Sequence, residues 1–216
     1  MFRTVLITSG PTIEPIDPVR FISNRSSGKT GYHLAQKARE RGIENIIFVT
    51  GPTCFYPADV RLIRIETAQE MRREVLLCSD QAEVIIMAAA VSDFRSSKYY
   101  PEKIKKGKDS LTLKLIGNED ILRELGRRKN GSQFLVGFAA ETENIFENAM
   151  RKLEEKNLDL LVLNEISDGN PAFGEDENQV YLITRAAVRK IERMTKARIA
   201  SLIWDEIDRI ADEKGR

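Results

Sequence analysis

The sequence predicts an α/β protein, a mostly parallel β-sheet covered by helices on both faces. Two observations predict it. Apolar, β-branched runs alternate with helical patterns along the chain. The run EVIIMAAAV at residues 83–91 is continuously apolar, as a strand buried on both faces must be. The chain of 216 residues is long enough for one such domain with a buried core. No repeat or low-complexity linker divides it, so residues 1–216 are expected to form a single domain.

In order, residues 5–8 read as a strand, followed by a proline-rich polar loop over 10–18. A helical pattern runs from Gly28 to about residue 41 and stops at Gly42. Residues 45–50 and 60–66 are strands, the first closed by Gly51 and Pro52. Thr67 with Glu70 has the spacing of a capping box and starts the next helix. After the central strand at 83–91, residues 92–110 read as a long polar loop. Residues 111–115 alternate apolar and polar side chains, which predicts a half-exposed strand. A short helix at 119–129, a strand at 134–138, a helix at 145–156 and a strand at 158–163 follow. A second loop, 164–178, carries Gly169, Pro171 and Gly174 and leads to a strand at 179–184. Thr195 caps a last amphipathic helix to about Ala211, with Ile199, Leu202, Ile203, Ile207 and Ile210 on one face.

Composition narrows the function. Lys and Arg total 34 against 33 Asp and Glu, so there is no basic excess to make nucleic acid the default partner. No apolar run approaches the roughly 18 residues of a membrane span, and the N-terminus shows no signal-peptide pattern. Cys54 and Cys78 imply neither a disulfide framework nor a zinc site, and a reducing cytoplasm is the natural setting. His33 is the one histidine, on a predicted helix, where packing is its ordinary role.

Four clusters carry candidate chemistry. The first, SNRSSGKT at 23–30, ends like a phosphate-binding P-loop but has Ser23 where that motif needs glycine, and its strand ends too far upstream. Gly28 and Gly31 either admit a phosphate to the start of a helix or let that helix pack on the sheet. The second joins Asp93, just beyond a buried strand, to Lys103, Lys105 and Lys106, which suit a triphosphate or belong to a solvated loop. The third comprises residues 118–121 and 138–142, with Lys152 and Lys156 four apart on a helix face; these lysines reach a nucleotide or pair with glutamates such as Glu154 and Glu155. The fourth, FGEDEN at 173–178, lacks EF-hand spacing and reads as a loop ordered by its own hydrogen bonds. An oxidoreductase Tyr-x-x-x-Lys pair on a helix is disfavoured, because Tyr99 and Lys103 flank Pro101.

Taken together, GPTIEPIDPVRFISNRSSGKTG at 10–31, AAAVSD at 88–93, KIKK at 103–106, GFAAET at 137–142, KNLD at 156–159 and FGEDEN at 173–178 resemble the phosphopantothenoylcysteine synthetase family, in the family's order and across nearly the whole chain. The resemblance implies a Rossmann-like three-layer sandwich. It implies a CTP-dependent ligase of coenzyme A synthesis that joins 4′-phosphopantothenate to cysteine through an acyl-cytidylate, releasing pyrophosphate and then CMP. CTP is a cosubstrate on this view and Mg²⁺ accompanies it. The alternative is a catalytically silent nucleotide- or NAD-binding module on the same fold.

Carried over by position, Asn24 matches the asparagine needed to convert the acyl-cytidylate, and Lys103 the lysine of the first half-reaction. Gly10, Arg20, Ser26, Ser27, Gly28 and Gly31 match substrate- and phosphate-binding positions, with Arg20 expected to reach the site of a partner in a homodimer. Met87, Ala88, Ala89, Asp93, Glu119, Asp120, Ile121, Leu122, Phe138, Lys152 and Lys156, together with Lys103, match nucleotide-binding positions, and Asp93 is also a candidate metal ligand. Pro11 departs from the family's usual glycine and removes one N–H, and Glu119 stands where proline is usual. Many bacterial members are fused behind a flavin-dependent phosphopantothenoylcysteine decarboxylase. This chain lacks that half, so FMN is not expected, and the decarboxylase is a potential separate or fused partner.

Overall fold

The computed structural model describes residues 2–107, 110–166 and 175–215. In chain order the elements are β1 (Thr4–Ser9), β2 (Ile13–Pro15), β3 (Phe21–Ser23), α1 (Lys29–Glu40), β4 (Asn45–Thr50), β5 (Arg61–Arg64), α2 (Ala68–Ser79), β6 (Val84–Met87), β7 (Phe94–Ser96), β8 (Leu115–Gly117), α3 (Ile121–Arg128), β9 (Phe134–Glu141), α4 (Ile145–Glu155), β10 (Leu160–Glu165), β11 (Glu177–Ile183), β12 (Val188–Thr195) and α5 (Lys196–Glu213).

Eight strands form the main sheet in the order β12-β11-β10-β9-β6-β1-β4-β5. From β10 to β5 every pairing is parallel, with β1 in register with β4 (Val5 opposite Ile46) and with β6 (Val5 opposite Val84). The hairpin β11–β12 adds antiparallel strands at one edge. The chain winds outward from β1 to β5, returns to β6, and winds out the other way to β10. The direction of winding therefore reverses between β1 and β6. Loops leaving those two strands diverge, and a crevice opens at their carboxyl ends.

Alternation along each strand builds two cores. Val5, Ile7 and Phe48 face Leu34 of α1 and Trp204 of α5, whereas Leu6, Val49 and Ile85 face Met71, Leu125 and Leu153 of α2, α3 and α4. Trp204 Nε1 donates to the Leu34 carbonyl at 3.0 Å, which ties α5 to α1. The three-layer, mostly parallel α/β architecture expected from the sequence is the one observed. Thr67 and Glu70 form the predicted capping box, and Thr195 caps α5 by accepting from the Arg198 N–H.

Several expectations need correction. The central strand ends at Met87, not at residue 91. Residues 88–91 turn away, half-exposed, because the Ala90 N–H and C=O bond to the loop after β1 and not to a sheet neighbour. The strand expected at 111–115 is displaced. The paired strand is Leu115–Gly117, with β7, and Leu111 and Thr112 are exposed. The proline-rich stretch contains the β2–β3 hairpin. The polar edge strand β12, with Ile191 as its one fully buried position, left no apolar pattern to read. Of the second loop, Gly169, Pro171, Phe173 and Gly174 lie outside the described residues.

One buried ionic knot fastens the sheet to its helix ends. The Asp159 carboxylate, 3% exposed, accepts from Lys129 Nζ at 2.9 Å, Lys214 Nζ at 2.6 Å and the Leu135 N–H at 2.8 Å. Burial alone would raise its pKa. The bonds from Lys214, Leu135 and Lys129 outweigh that, and the net shift is downward. A lowered carboxylate pKa contributes stability above the ordinary aspartate range, and this is lost as pH falls through the folded-state value. Asp159→Asn is expected to cost about 3 kcal/mol in urea unfolding at neutral pH, because it removes the buried negative charge that Lys129 and Lys214 both bond. The gap to the wild-type protein is expected to narrow on acidification, and a gap constant with pH would argue against the knot.

Candidate active site

The crevice at the sheet's switch point is a cavity of about 490 Å³. Four strand exits and three helix starts contribute to it. From the first exit come Asn24, residues 26–28 and the first turn of α1. From β6 come residues 87–93, and from the approach to α3 residues 118–122. Phe138 and its two successors line it from β9, Lys152 and Lys156 from α4 and the turn beyond it, Asn164 from β10, Asn178 from β11 and Lys196 from α5.

The start of α1 is built for an anion. Gly28 precedes the helix at φ +80°, no side chain caps it, and no acidic residue sits in its first turn. Ser26 and Ser27 hydroxyls accept from the Gly28 and Lys29 N–H groups only at 3.3 and 3.5 Å, loose enough for a ligand oxygen to compete. A Cβ on Gly31 would lie 2.5 Å from Ser9 Oγ, and one on Gly28 2.8 Å from Thr53 Oγ1. The two readings of these glycines are thus complementary. Close packing on β1 brings the helix start to the cavity wall.

Ala90 joins the first two exits. Its N–H donates to the Gly10 carbonyl at 2.9 Å, and its own carbonyl accepts from the Thr12 N–H at 3.2 Å and from Asn24 Nδ2 at 3.0 Å. The Asn24 amide is therefore held against the backbone leaving β6. Further along, the Ser92 N–H donates to Thr12 Oγ1 at 2.9 Å, and Asn118 donates to the carbonyls of Ser92 and Asp93, both at 2.8 Å. Ser92 Oγ, buried in the wall, has no hydrogen-bond partner among the described residues.

The lysines are set by carboxylates. Lys156 pairs with Asp120 at 2.9 Å, and Lys152 with Glu141 rather than with Glu154 or Glu155. Asp120 also caps α3, accepting from the Arg123 N–H at 3.0 Å. Burial pushes its pKa up, but the Arg123 N–H and Lys156 more than offset this, so it is held below the ordinary value. At the other end Lys29 pairs with Asp176, and Lys196 donates to the Glu175 carbonyl at 2.6 Å.

Of the residues singled out from the sequence, Asn24, Ser26, Ser27, Gly28, Gly31, Met87, Ala88, Ala89, Asp93, Glu119, Asp120, Ile121, Leu122, Phe138, Lys152 and Lys156 share this one cavity. Three do not. Gly10, at φ +71°, packs against the Gly51 carbonyl and supports Ala90 from behind. Arg20 pairs with buried Asp17 and donates to the Ile104 carbonyl at 3.1 Å. Lys103 is exposed on a segment that the Ile104 N–H bond to Asp17, at 3.1 Å, ties to the same hairpin. Asp93 is exposed, and among the described residues no group of three or more His, Cys, Asp or Glu is placed to hold a metal; the expected metal ligand has no preformed set around it. His33 packs on Tyr32 beside Gln36, away from the cavity lining.

Sequence reasoning missed Asn164, Asn178 and Lys196, which line the cavity. Asn164 left no signal, and Asn178 lay in the FGEDEN motif read as a self-ordered loop. Lys196 left a signal, because a cation in a helix's first turn opposes the helix dipole and needs a reason. In the acidic loop, Glu175 and Glu177 pair with Arg193 and Asp176 with Lys29, so partners outside the loop order its described part.

Residues 2–210 match the family described as DNA/pantothenate metabolism flavoprotein, C-terminal domain. A cysteine/cysteine sulfinic acid decarboxylase from an unknown prokaryotic organism is 42% identical over 95% of this chain and 58% of its own length. The coenzyme A biosynthesis bifunctional protein CoaBC of Escherichia coli K12 is 40% identical over 98% of this chain and 53% of its own length. The chain thus spans about half the length of the curated relatives it matches. The crystal structure of the C-terminal domain of a CoaBC protein superposes with a TM-score of 0.81 at 36% identity, covering 98% of this chain and 96% of that one. The family description also corrects one expectation. It names a flavoprotein, which points to FMN in the family and overturns the view that FMN has no place here.

Gly31→Ala is expected to lower stability by about 1–3 kcal/mol in denaturant unfolding, since Ser9 must give way. It should also weaken the binding of inorganic tripolyphosphate, because the α1 start moves off the wall. Unchanged stability would mean that the close approach of α1 to β1 is not needed.

Proposed function

Because the chain belongs to the family of DNA/pantothenate metabolism flavoprotein C-terminal domains, we propose that it is a single synthetase domain acting as a CTP-dependent ligase of coenzyme A biosynthesis in the cytoplasm, joining 4′-phosphopantothenate to cysteine. The observation that carries the reading is the convergence of Asn24, the α1 start, residues 87–93 and the two α4-side lysines on one cavity.

The reaction runs in two balanced steps. The acid's carboxylate attacks the α-phosphorus of CTP and pyrophosphate leaves, giving an acyl-cytidylate. The cysteine amine then attacks the acyl carbon and CMP leaves, with one proton released from the amine. A carboxylate is a poor acyl donor, and the nucleotide supplies a good leaving group. Backbone amides of the α1 start, with Lys152 and Lys156, offset the phosphate charge. Phe138 stacks on the base, and the backbone of residues 87–89 reads its edge. Asn24, already donating to the Ala90 carbonyl, orients the acyl carbonyl for the amine. Mg²⁺ arrives with the triphosphate and keeps most of its water, so it needs few protein ligands.

FMN, to which the family description points, meets a compatible donor set here, with the same amides and lysines for its phosphate and Phe138 for its ring. It would supply two-electron redox chemistry. Amide formation between an acid and an amine transfers no electrons, and the steps above use only this chain's residues and the substrates.

Lys103 and Arg20 complete the site through a homodimer. Val19 and Phe21 on the β2–β3 hairpin and Phe94, Leu115 and Ile116 on β7 and β8 are exposed apolar residues on adjacent elements. Burying them against a second copy would deliver the partner's Arg20 and the Lys103 segment to the cavity.

The test is release of pyrophosphate and CMP on mixing CTP, 4′-phosphopantothenate and Mg²⁺, with and without cysteine. Pyrophosphate is expected without cysteine, and CMP only when cysteine is added. Asn24→Asp should release pyrophosphate yet stall before the amide, and full turnover by it would remove Asn24 from this role. Lys103→Gln should fail earlier, losing at least 10²-fold in pyrophosphate release; normal accumulation of the acyl-cytidylate would refute that assignment. CTP binding with no turnover in the wild-type protein would favour the silent nucleotide-binding module.

A further inference from the structure

Lys196 lines the cavity on the side of the α1 start, and the steps proposed above give its side chain no role. It is the first residue of α5, 6% exposed, and it lines the cavity wall. Among the described residues its ammonium has one hydrogen bond, to the Glu175 carbonyl at 2.6 Å. Among the described residues no carboxylate lies within ion-pair distance of it. The carboxylates nearby are engaged elsewhere, Asp176 with Lys29 and Glu175 with Arg193. A buried ammonium at the positive end of a helix dipole, without a direct ion pair, costs stability. A second cation stands beside it. Asp176 accepts the Lys196 N–H at its carbonyl, 2.9 Å away, while its side chain holds Lys29. Lys29 in turn opens the α1 helix, whose start is free of acidic residues. Two lysines and two helix N-termini therefore face one end of the cavity.

We infer that Lys196, with Lys29, forms a subsite for the terminal phosphate of a substrate, and that the anion it awaits is the charge partner the fold withholds. The inference rests on the reading of the cavity as the substrate site, and it adds a residue to it. Burial and then the neighbouring Lys29 push the Lys196 pKa down, outweighing the opposite pull of Asp176 and Glu175, and a bound phosphate would act in the same sense as those two carboxylates. Two substrates carry such a group, the nucleotide triphosphate and the phosphorylated acid.

Calorimetric titration of the whole chain with inorganic tripolyphosphate, CTP and 4′-phosphopantothenate separates them. Lys196→Gln keeps a donor for the Glu175 carbonyl and removes the charge. It is expected to weaken tripolyphosphate binding at least tenfold, about 1.4 kcal/mol, with Lys196→Arg retaining most of the affinity. A parallel loss for CTP assigns the subsite to the nucleotide, and a loss confined to 4′-phosphopantothenate assigns it to the acid. Unchanged affinity for all three overturns the inference, as does a wild-type protein that binds none of them. Tripolyphosphate binding that needs Lys196, in a protein with no ligase turnover, would sink the ligase reading and leave the subsite standing. Without ligand, Lys196→Gln should melt no lower than wild type, since it removes an uncompensated charge. A lower melting temperature with unchanged binding would mark Lys196 as structural and end the proposal.

Discussion

A three-point backbone clamp at Ala90 holds the site together. Parallel strands deliver their loops to one edge of the sheet, and the reversal of winding between β1 and β6 sends the two central loops apart. Left alone they would make a gap with no fixed walls. Ala90 closes it by donating to Gly10 and accepting from Thr12 and Asn24. From there a chain of bonds runs through Ser92 and Thr12 to Asn118 and on to the start of α3. Each link uses a backbone group that the sheet no longer satisfies, which is why residues 88–93 leave the strand without burying orphaned amides. The asparagine proposed for catalysis is itself a member of this clamp.

Around that frame the charges follow a consistent logic. Lys152 and Lys156 are anchored by Glu141 and Asp120 and need little reordering to meet an anion. The α1 start carries no competing carboxylate in its first turn. Ion pairs of this kind contribute little stability at a surface, and their effect here is to hold flexible side chains along the cavity wall. The exposed Lys103 segment shows the opposite regime. Asp17 anchors its base through the Ile104 N–H, with a carboxylate pKa lowered, against the effect of burial, by bonds from the Val19, Ile104 and Arg20 N–H groups. Lys103 itself remains in solvent.

The sheet and its helices were legible because buried parallel strands and amphipathic helices leave strong patterns; Thr67, Thr195 and Gly42 marked helix ends for local chemical reasons. The short hairpins were not, since β2, β3 and β7 are three residues each and bury little. The run at 83–91 misled for a physical reason. Alanines suit a buried strand and also a wall that must lie close to a ligand, and periodicity does not separate the two. Most of the cavity lining was legible from motifs near strand exits and from family resemblance. Gly10 is matched to a substrate- and phosphate-binding position by family resemblance alone, and in the structure its carbonyl accepts from the Ala90 N–H. Asn164 and Asn178 face the cavity only because β10 and β11 pair, a long-range fact no local pattern encodes.

The most direct measurement is amide hydrogen exchange of the wild-type chain with and without CTP and Mg²⁺. Slowed exchange concentrated in residues 24–31, 87–93, 118–122 and 152–156 is the predicted result. Protection centred on the separate cleft lined by Glu14, Glu66, Arg95 and Tyr99, or no protection at saturating nucleotide, would contradict a nucleotide site at the switch point of the sheet.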